Sequence, residues 1–503
     1  MEITSKSQVP NPEFQIPNAN PNASERALGF GVWDLGFGIF ISIAALLYLA
    51  PLLLNAPLTD PDEGLHAAIS QEMVERGDFI VPRFVGRAFF DKPIHFFWAQ
   101  AASMRLFGMS TAAARLPGMV FALLGIATTG WLARVLLADA RRVAQADPQR
   151  VEAPRPATGW FAAACYATMV LPFVLAQAPV HDIALVPFTN VALGLLWRSR
   201  DPGSRIRNPI LAGCALGLSI LTKGLEGIAI VGVGFAVYLL VSRTLTRRLV
   251  LLGILTVVVA ALVALPWYFA MNAREPGYLQ YYFLNRHLLG FTTERQRHGG
   301  QPWWYYVPVI VAGGLPWILY VRRRLLADAP GTFLWIWLAA SVALLSLSNS
   351  KAVTYALPVI PAIAIVAARS DAVVRQWRPV AIGMAIVYAG AIATAGPTVA
   401  YTHSSTDLTQ HFDNEGRLPD SVFVMENRVA FVYYLRPEVR AGMHREQIKN
   451  FTLDELEAIR PFPTNAVLAL PADLADTRLK RLPQLANGHR KRIGRYVLIS
   501  PAR

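Results

Sequence analysis

The sequence predicts a polytopic α-helical membrane protein that ends in a small α/β domain. Hydrophobic residues make up 54% of its 503 positions and charged residues only 16%, with a mean hydropathy of +0.37, far too apolar for a string of soluble domains. Apolar runs of the ~20 residues needed to cross a hydrocarbon core of about 30 Å recur through roughly the first four-fifths of the chain. Beyond residue 400 the pattern changes to short β-like runs between helical stretches, and about 100 residues suffice for one small α/β domain.

About eleven spans are predicted, with cores at 30–54, 113–137, 158–177, 180–197, 208–222, 225–242, 248–270, 303–321, 331–348, 352–368 and 378–398. The first follows a Pro/Asn-rich, nearly uncharged tail, residues 1–29. It is too long for a signal-peptide core and no small-residue cleavage pattern follows it, so it is expected to be a retained span. Thr222-Lys223-Gly224 splits the run from 208 to 242 into two. Basic clusters occupy alternate connections: Arg141, Arg142, Arg150 and Arg155; Arg198, Arg200, Arg205 and Arg207; Arg243, Arg247 and Arg248; Arg322 to Arg324; and Arg369, Arg375 and Arg378. With eleven spans all of them share one side, which the positive-inside rule makes the cytoplasm. The expected organisation is therefore a cytoplasmic tail (1–29), a transmembrane domain (30–399) with external loops at 55–111 and 271–302, and an external soluble domain (400–503).

Helical periodicity is expected at 62–76 and in the aromatic stretch 93–106, whose apolar faces need lipid or protein cover. In the tail, 421–425, 429–435, 466–470 and 496–500 read as strands, with helices at 452–459 and 474–481.

Composition also excludes functions. The two cysteines, Cys165 and Cys214, lie in apolar runs and offer neither a disulfide framework nor zinc-ligand spacing. The net charge of +14 sits largely in the orienting loops, without a nucleic-acid motif, so no nucleic-acid partner is expected. A transporter or flippase, the rival class, should show repeated halves and broken helices at the midplane. Here the intramembrane charges gather at one face instead.

Ionisable groups at membrane depth are costly and mark function. The first loop runs from Asp60-Pro61-Asp62-Glu63-Gly64 to Asp91-Lys92-Pro93. Asp62 and Glu63 can stabilise the amino-terminal end of a helix, while one of them serves as a base that deprotonates a hydroxyl during group transfer. Lys92, held by a proline-restricted backbone next to Asp91, suits the phosphate of an anionic lipid head group; a solvated turn is the plainer account. Asp182 is too short to snorkel far, whereas Lys223 could. Tyr281 to Tyr306 reads first as an interfacial aromatic belt, though Arg286, His287, Arg295 and Arg297 add cationic donors for a phosphate. His287 with Asp91 could also hold a divalent metal. No cofactor is required by the sequence. Lys351, in Ser350-Lys351, follows a span and reads equally as a loop lysine.

At these residues the chain resembles the membrane-embedded GT-C glycosyltransferases, the superfamily of the ArnT-like aminoarabinose transferases and the dolichyl-phosphate-mannose protein mannosyltransferases. The resemblance covers most of 30–370. It is strongest from Pro61-Asp-Glu-Gly64 through Glu72 to Pro82 and on to Asp91-Lys92-Pro93. Leu221-Thr-Lys-Gly224, Pro302-Trp-Trp-Tyr-Tyr306 and Ser350-Lys351 with Tyr355 and Leu357-Pro358 support it. It implies a polyprenyl (undecaprenyl) phosphate sugar donor, an acceptor hydroxyl on an envelope lipid such as lipid A or on a protein, and inversion at the anomeric carbon. It also implies the bacterial inner membrane, with the tail in the periplasm. By resemblance Asp62 is the catalytic carboxylate. Glu63 follows it, Asp91 and Lys92 stand beside the donor phosphate, Asp182 and Lys223 line the cavity, and His287 is a loop histidine. The chain departs from the ArnT pattern at Leu65-His66, where Arg-Tyr is usual, at Asp91 for Glu, and at Gly290 for an arginine. Arg83, Arg286, Arg295 or Arg297 could replace the lost phosphate contact.

Overall fold

Breaks in the apolar runs decide which of them become long helices. The computed structural model describes residues 42–54, 56–146, 157–177, 180–292, 300–322 and 328–502. Of residues 1–44 only the start of helix α1 (Ser42–Leu53) is described, and residues 45–503 form one unit. Among the described residues four helices are long and apolar enough to cross a membrane: Thr111–Ala138 within α4 (Thr111–Ala146), Arg247–Arg274, Ala329–Leu347 and Asp371–Thr402. A fifth arises if α5 (Thr158–Thr168) and α6 (Val170–Gln177), bent by 56° at extended Met169, count as one. Other expected runs are shorter or split. The stretch 303–321 breaks after Tyr306–Gly313 at Gly313-Gly314-Leu315-Pro316 into a short 3₁₀ turn, Trp317–Tyr320, because proline removes a helical donor and its ring crowds the preceding turn. The stretch 352–368 begins as 3₁₀ at Val353–Val359 before Ile360–Ala367.

The bundle places its charged helix ends together. Helix α4 packs on α5 and on α7 (His181–Arg198), α7 packs on α8 (Arg207–Lys223), and α9 (Glu226–Val241) follows α8 across a two-residue turn; α10 (Arg247–Arg274) covers α8. The start of α7, the end of α8 and the start of α9 therefore meet.

Above them the first loop forms α2 (Asp62–Arg76), a hairpin of β1 (Arg83–Phe84) and β2 (Arg87–Ala88), and α3 (His95–Phe107). Both helices fall where the periodicity puts them. Their apolar faces find protein cover: Leu65, Ile69 and Met73 of α2 and Phe96 and Phe97 of α3 are buried, while Leu106 and Phe107 remain exposed.

The tail carries a five-stranded sheet in the order β4-β3-β5-β7-β6. Here β3 is Ser421–Val424, β4 Ile448–Asn450, β5 Ala466–Pro471, β6 His489–Ile493 and β7 Tyr496–Ser500. Strands β4, β3 and β5 are parallel, and β7 and β6 add antiparallel. Phe423, Leu456, Leu468, Leu482 and Ile499 fill its core. One expectation is overturned. The run 429–435, rich in β-formers, contains a helix, Ala430–Tyr434. The Asp60 carboxylate accepts from Val429 N (2.7 Å) and Ala430 N (2.8 Å), satisfying donors that open the helix, so a tertiary contact overrides local propensity.

Candidate active site

Three carboxylates crowd into four residues, and the fold gives each a different fate. Asp60 is buried and receives the Val429 and Ala430 bonds on one oxygen and Ser405 N (2.8 Å) on the other. Burial pushes its carboxyl up to about 6, opposed by the N–H groups and the Ser405 hydroxyl that face it. Glu63 is also buried. It accepts from Thr59 N (2.8 Å) and Thr59 Oγ1 (3.1 Å), and Arg115 of α4 closes on it through Nε (2.6 Å) and Nη2 (3.0 Å). The guanidinium also donates to the carbonyls of Ala56 (2.8 Å) and Pro57 (2.9 Å). Pro61, at the N-cap of α2, has no polar side chain and supplies no cap, while Glu63 reaches back to accept from Thr59 in the preceding turn. Asp62, between these two, is exposed on the first turn of α2.

One turn further, His66 is buried against Phe97 (5.5 Å between ring centres) and His181 (4.5 Å). Burial pushes its imidazole down to about 4. Asp62, Asp182 and Asp91 pull it upward, and Lys92 pushes it further down. The neutral ring thus lies within electrostatic reach of Asp62, Lys92, Asp91 and Asp182 at once.

A cavity of about 540 Å³ opens beside this cluster, with Asp91, Lys92, Lys223, Glu226, Arg286 and His287 among its polar lining. Leu225, Ile230, Phe283, Leu288, Phe291 and Leu344 supply apolar lining. Asp91 accepts from the Tyr281 hydroxyl at 2.6 Å, and its charge, with Tyr355, acts on Arg286. Among the described residues the Lys92 ammonium has no hydrogen-bond or ion-pair partner. Lys223, by contrast, pairs with Asp182 and, at 2.7 Å, with Glu226, and its Nζ lies 3.8 Å from the ring centre of Tyr355.

Gly224 makes this corner possible. Its φ of +73° lies where side chains are strained, and a Cβ there would come within 2.5 Å of His287 Nε2 and of the Tyr282 hydroxyl. The close approach lets Leu225 N donate to His287 Nε2 at 3.3 Å while Nδ1–H donates to Tyr282 O at 2.9 Å. Burial keeps this imidazole below its ordinary pKa, so it stays neutral. Both ring nitrogens are used within the protein, and a metal on His287 would have to displace the Leu225 bond. Among the described residues no group of three His, Cys, Asp or Glu side chains could hold a metal ion.

The remaining sequence candidates lie apart from the cavity wall. Arg83 bonds Glu275 at 2.6 Å and Gly86 O at 3.4 Å, bracing the hairpin against the end of α10. Lys351 is buried and donates to the carbonyls of Gln301 (3.3 Å) and Ser348. Asp182 supports Lys223 from behind. Arg295 lies outside the described residues. Sequence reasoning passed over Arg115, although an arginine just inside the apolar run 113–137 is a signal that it must be paired. It also gave Asp60 no role, and nothing local distinguishes Asp60 from its neighbours.

The model of the dolichyl-phosphate-mannose-protein mannosyltransferase family matches residues 151–282. The chain is similar to undecaprenyl phosphate-alpha-4-amino-4-deoxy-L-arabinose arabinosyl transferases. That of Pseudomonas aeruginosa strain UCBPP-PA14 is 33% identical over 341 residues, 65% of this chain and 57% of the relative. That of Aeromonas salmonicida is 31% identical over 335 residues, 65% and 58% of the two chains. The match thus spans less than two thirds of these relatives' length. Among solved structures, ArnT from Cupriavidus metallidurans bound to undecaprenyl phosphate superposes with a TM-score of 0.69 at 23% identity, over 92% of this chain and 97% of that one, which establishes a common fold. The chain thus shares the fold of ArnT and is similar in sequence to the arabinosyl transferases over 65% of its own length.

Proposed function

We propose that this protein is an inverting membrane glycosyltransferase that moves a sugar from a polyprenyl phosphate, undecaprenyl phosphate in bacteria, to an acceptor hydroxyl. The observation that carries the proposal is the cavity, whose wall combines apolar side chains with the cations Lys92, Lys223 and Arg286, and where the Lys92 ammonium has no hydrogen-bond or ion-pair partner among the described residues. A lipid phosphate needs both kinds of lining, since its chain must stay out of water and its charge must be met. The names of the arabinosyl transferases and the undecaprenyl phosphate in the ArnT crystal support the same donor class.

In this reading Lys92 and Arg286 hold the donor phosphate and later stabilise it as the leaving group. Asp62, exposed beside the buried His66, takes the proton of an acceptor hydroxyl as its oxygen attacks the anomeric carbon opposite the phosphate. General base action is worth about 10² to 10⁴-fold, and positioning with phosphate stabilisation supplies the rest. Asp91 is held by Tyr281 next to Arg286 and orients that guanidinium. The acceptor is an envelope lipid, lipid A being the first to test. The topology is the eleven-span arrangement in the inner membrane, with the tail and both loops in the periplasm.

Two variants in liposomes test this with an undecaprenyl phosphate-linked aminopentose as donor. Asp62→Asn should bind undecaprenyl phosphate normally and lose turnover by about 10² to 10⁴-fold. Lys92→Ala should bind it roughly tenfold to a hundredfold more weakly. Folded variants that bind and transfer at parental rates would refute the assignment.

A further inference from the structure

The turn that presents Asp62 is gripped from two sides, and only one grip comes from the membrane helices. On that side Arg115 of α4 holds Glu63 and the carbonyls of residues 56 and 57. On the other side every contact comes from the end of the last long helix and the tail beyond it. Asp60 N donates to His403 O at 2.7 Å, and Leu58 N donates to the Tyr434 hydroxyl at 2.8 Å. The Asp60 carboxylate gathers Ser405 N, Val429 N and Ala430 N. Ser405 Oγ accepts from Phe431 N at 3.1 Å, tying those partners to one another. The packing is as close as the bonding, for a Cβ on Gly64 would lie 2.4 Å from the Cβ of Ala430. Arg440 reaches Glu75 at the far end of the same helix α2.

We propose that Asp60 is a positioning residue through which the tail holds the turn that aims Asp62, making the tail a working part of the transfer site. The inference rests on the transferase reading for its consequence, though the coupling itself does not. A buried carboxylate with three backbone N–H bonds holds donors that have no comparable alternative partner nearby, so removing it frees both the turn and the opening of the Ala430–Tyr434 helix. Displacing a reacting group by about 1 Å costs on the order of a hundredfold in rate. On the transferase reading donor binding draws on the cavity lined by Asp91 and Lys92, which includes no residue of this turn, and is spared.

The test uses the full chain in lipid. Hydrogen exchange is read by mass spectrometry on Asp60→Ala, Asp60→Asn and the parent, beside transfer from an undecaprenyl phosphate-linked aminopentose and binding of undecaprenyl phosphate. Asp60→Ala should lose protection in peptides covering 56–66 and 403–434, with β5, β7 and α4 as protected as in the parent. Its kcat should fall about a hundredfold, with the donor KM and the affinity for undecaprenyl phosphate within about twofold. Asp60→Asn keeps one accepting oxygen for Val429 and Ala430 but turns an amide toward Ser405 N, and its kcat should lie between the two. Unchanged protection of 56–66 in Asp60→Ala, or an equal fall in kcat and donor affinity, overturns the proposal. If the parent transfers no sugar, the transferase reading fails, and the exchange data still decide whether the tail holds the turn.

Discussion

Two clusters of buried charge lie near the same loop, and they differ in what they leave unsatisfied. Around Glu63 and Arg115 both carboxylate oxygens and the guanidinium nitrogens have partners, and both side chains are almost wholly buried. Around Lys223 the cation is shared between Asp182 and Glu226, yet Glu226 Oε1 is buried without a hydrogen bond among the described residues. Lys223 and Glu226 also face the cavity, whereas Glu63 and Arg115 face none of the described ones. Saturation identifies scaffold. A charge cluster left partly open at a cavity wall is one that a ligand can complete.

The sharpest way to break this contrast is Arg115→Ala. It strands Glu63 in the interior, and removing one partner of a buried pair destabilises by about 3–5 kcal/mol. Thermal unfolding in detergent should show a large loss of stability; an unchanged midpoint would mean the pair is not scaffold. Next in size is a pH effect at His66, whose folded pKa of about 4 lies below the ordinary value of 6.5. Between these values the unfolded chain binds a proton that the folded chain refuses, so stability falls as pH drops from about 6.5 to about 4, by about 3 kcal/mol. Replacing the ring by His66→Phe should flatten that limb relative to the parent, and an identical acid profile would dismiss the assignment.

Gly224→Ala should distort the corner rather than the fold. Strain at a positive φ costs of order 1–3 kcal/mol, and the added methyl pushes His287 from the Leu225 bond, which on the proposed function weakens undecaprenyl phosphate binding. Parental affinity in a stable variant would show that His287 need not be held there. The smallest effect is expected at Glu226→Gln. Loss of one negative charge at the wall should leave the melting temperature nearly unchanged and tighten binding of undecaprenyl phosphate about fivefold, the equivalent of about 1 kcal/mol. Weaker binding would reverse the role given to Glu226.

Much of the lining of the candidate site is legible in the sequence. Asp91, Lys92, Lys223 and His287 are distant in sequence, yet each interrupts or borders an apolar run on the same predicted face, and all four line one cavity. Glu63 and Lys351 stood out as charges at membrane depth and Arg83 as a replacement for a lost phosphate contact, and the fold engages all three in bracing contacts. Costly charge reveals that a residue must be partnered; it does not reveal whether the partner is protein or ligand.

Local pattern was enough to place the long apolar helices Thr111–Ala138, Arg247–Arg274, Ala329–Leu347 and Asp371–Thr402, α2 and α3 of the first loop, and the strands β3, β5 and β7, because hydropathy and periodicity act over a few neighbouring residues and sum along the chain. Only the tertiary structure decided which of Asp60, Asp62 and Glu63 stays free, and that 429–435 contains a helix. Those outcomes depend on partners 52, 345 and 369 residues away. Contacts at such separations exist only once the chain has folded back on itself, and a single carboxylate looks the same in sequence whether it will meet an arginine, a row of backbone N–H groups or water.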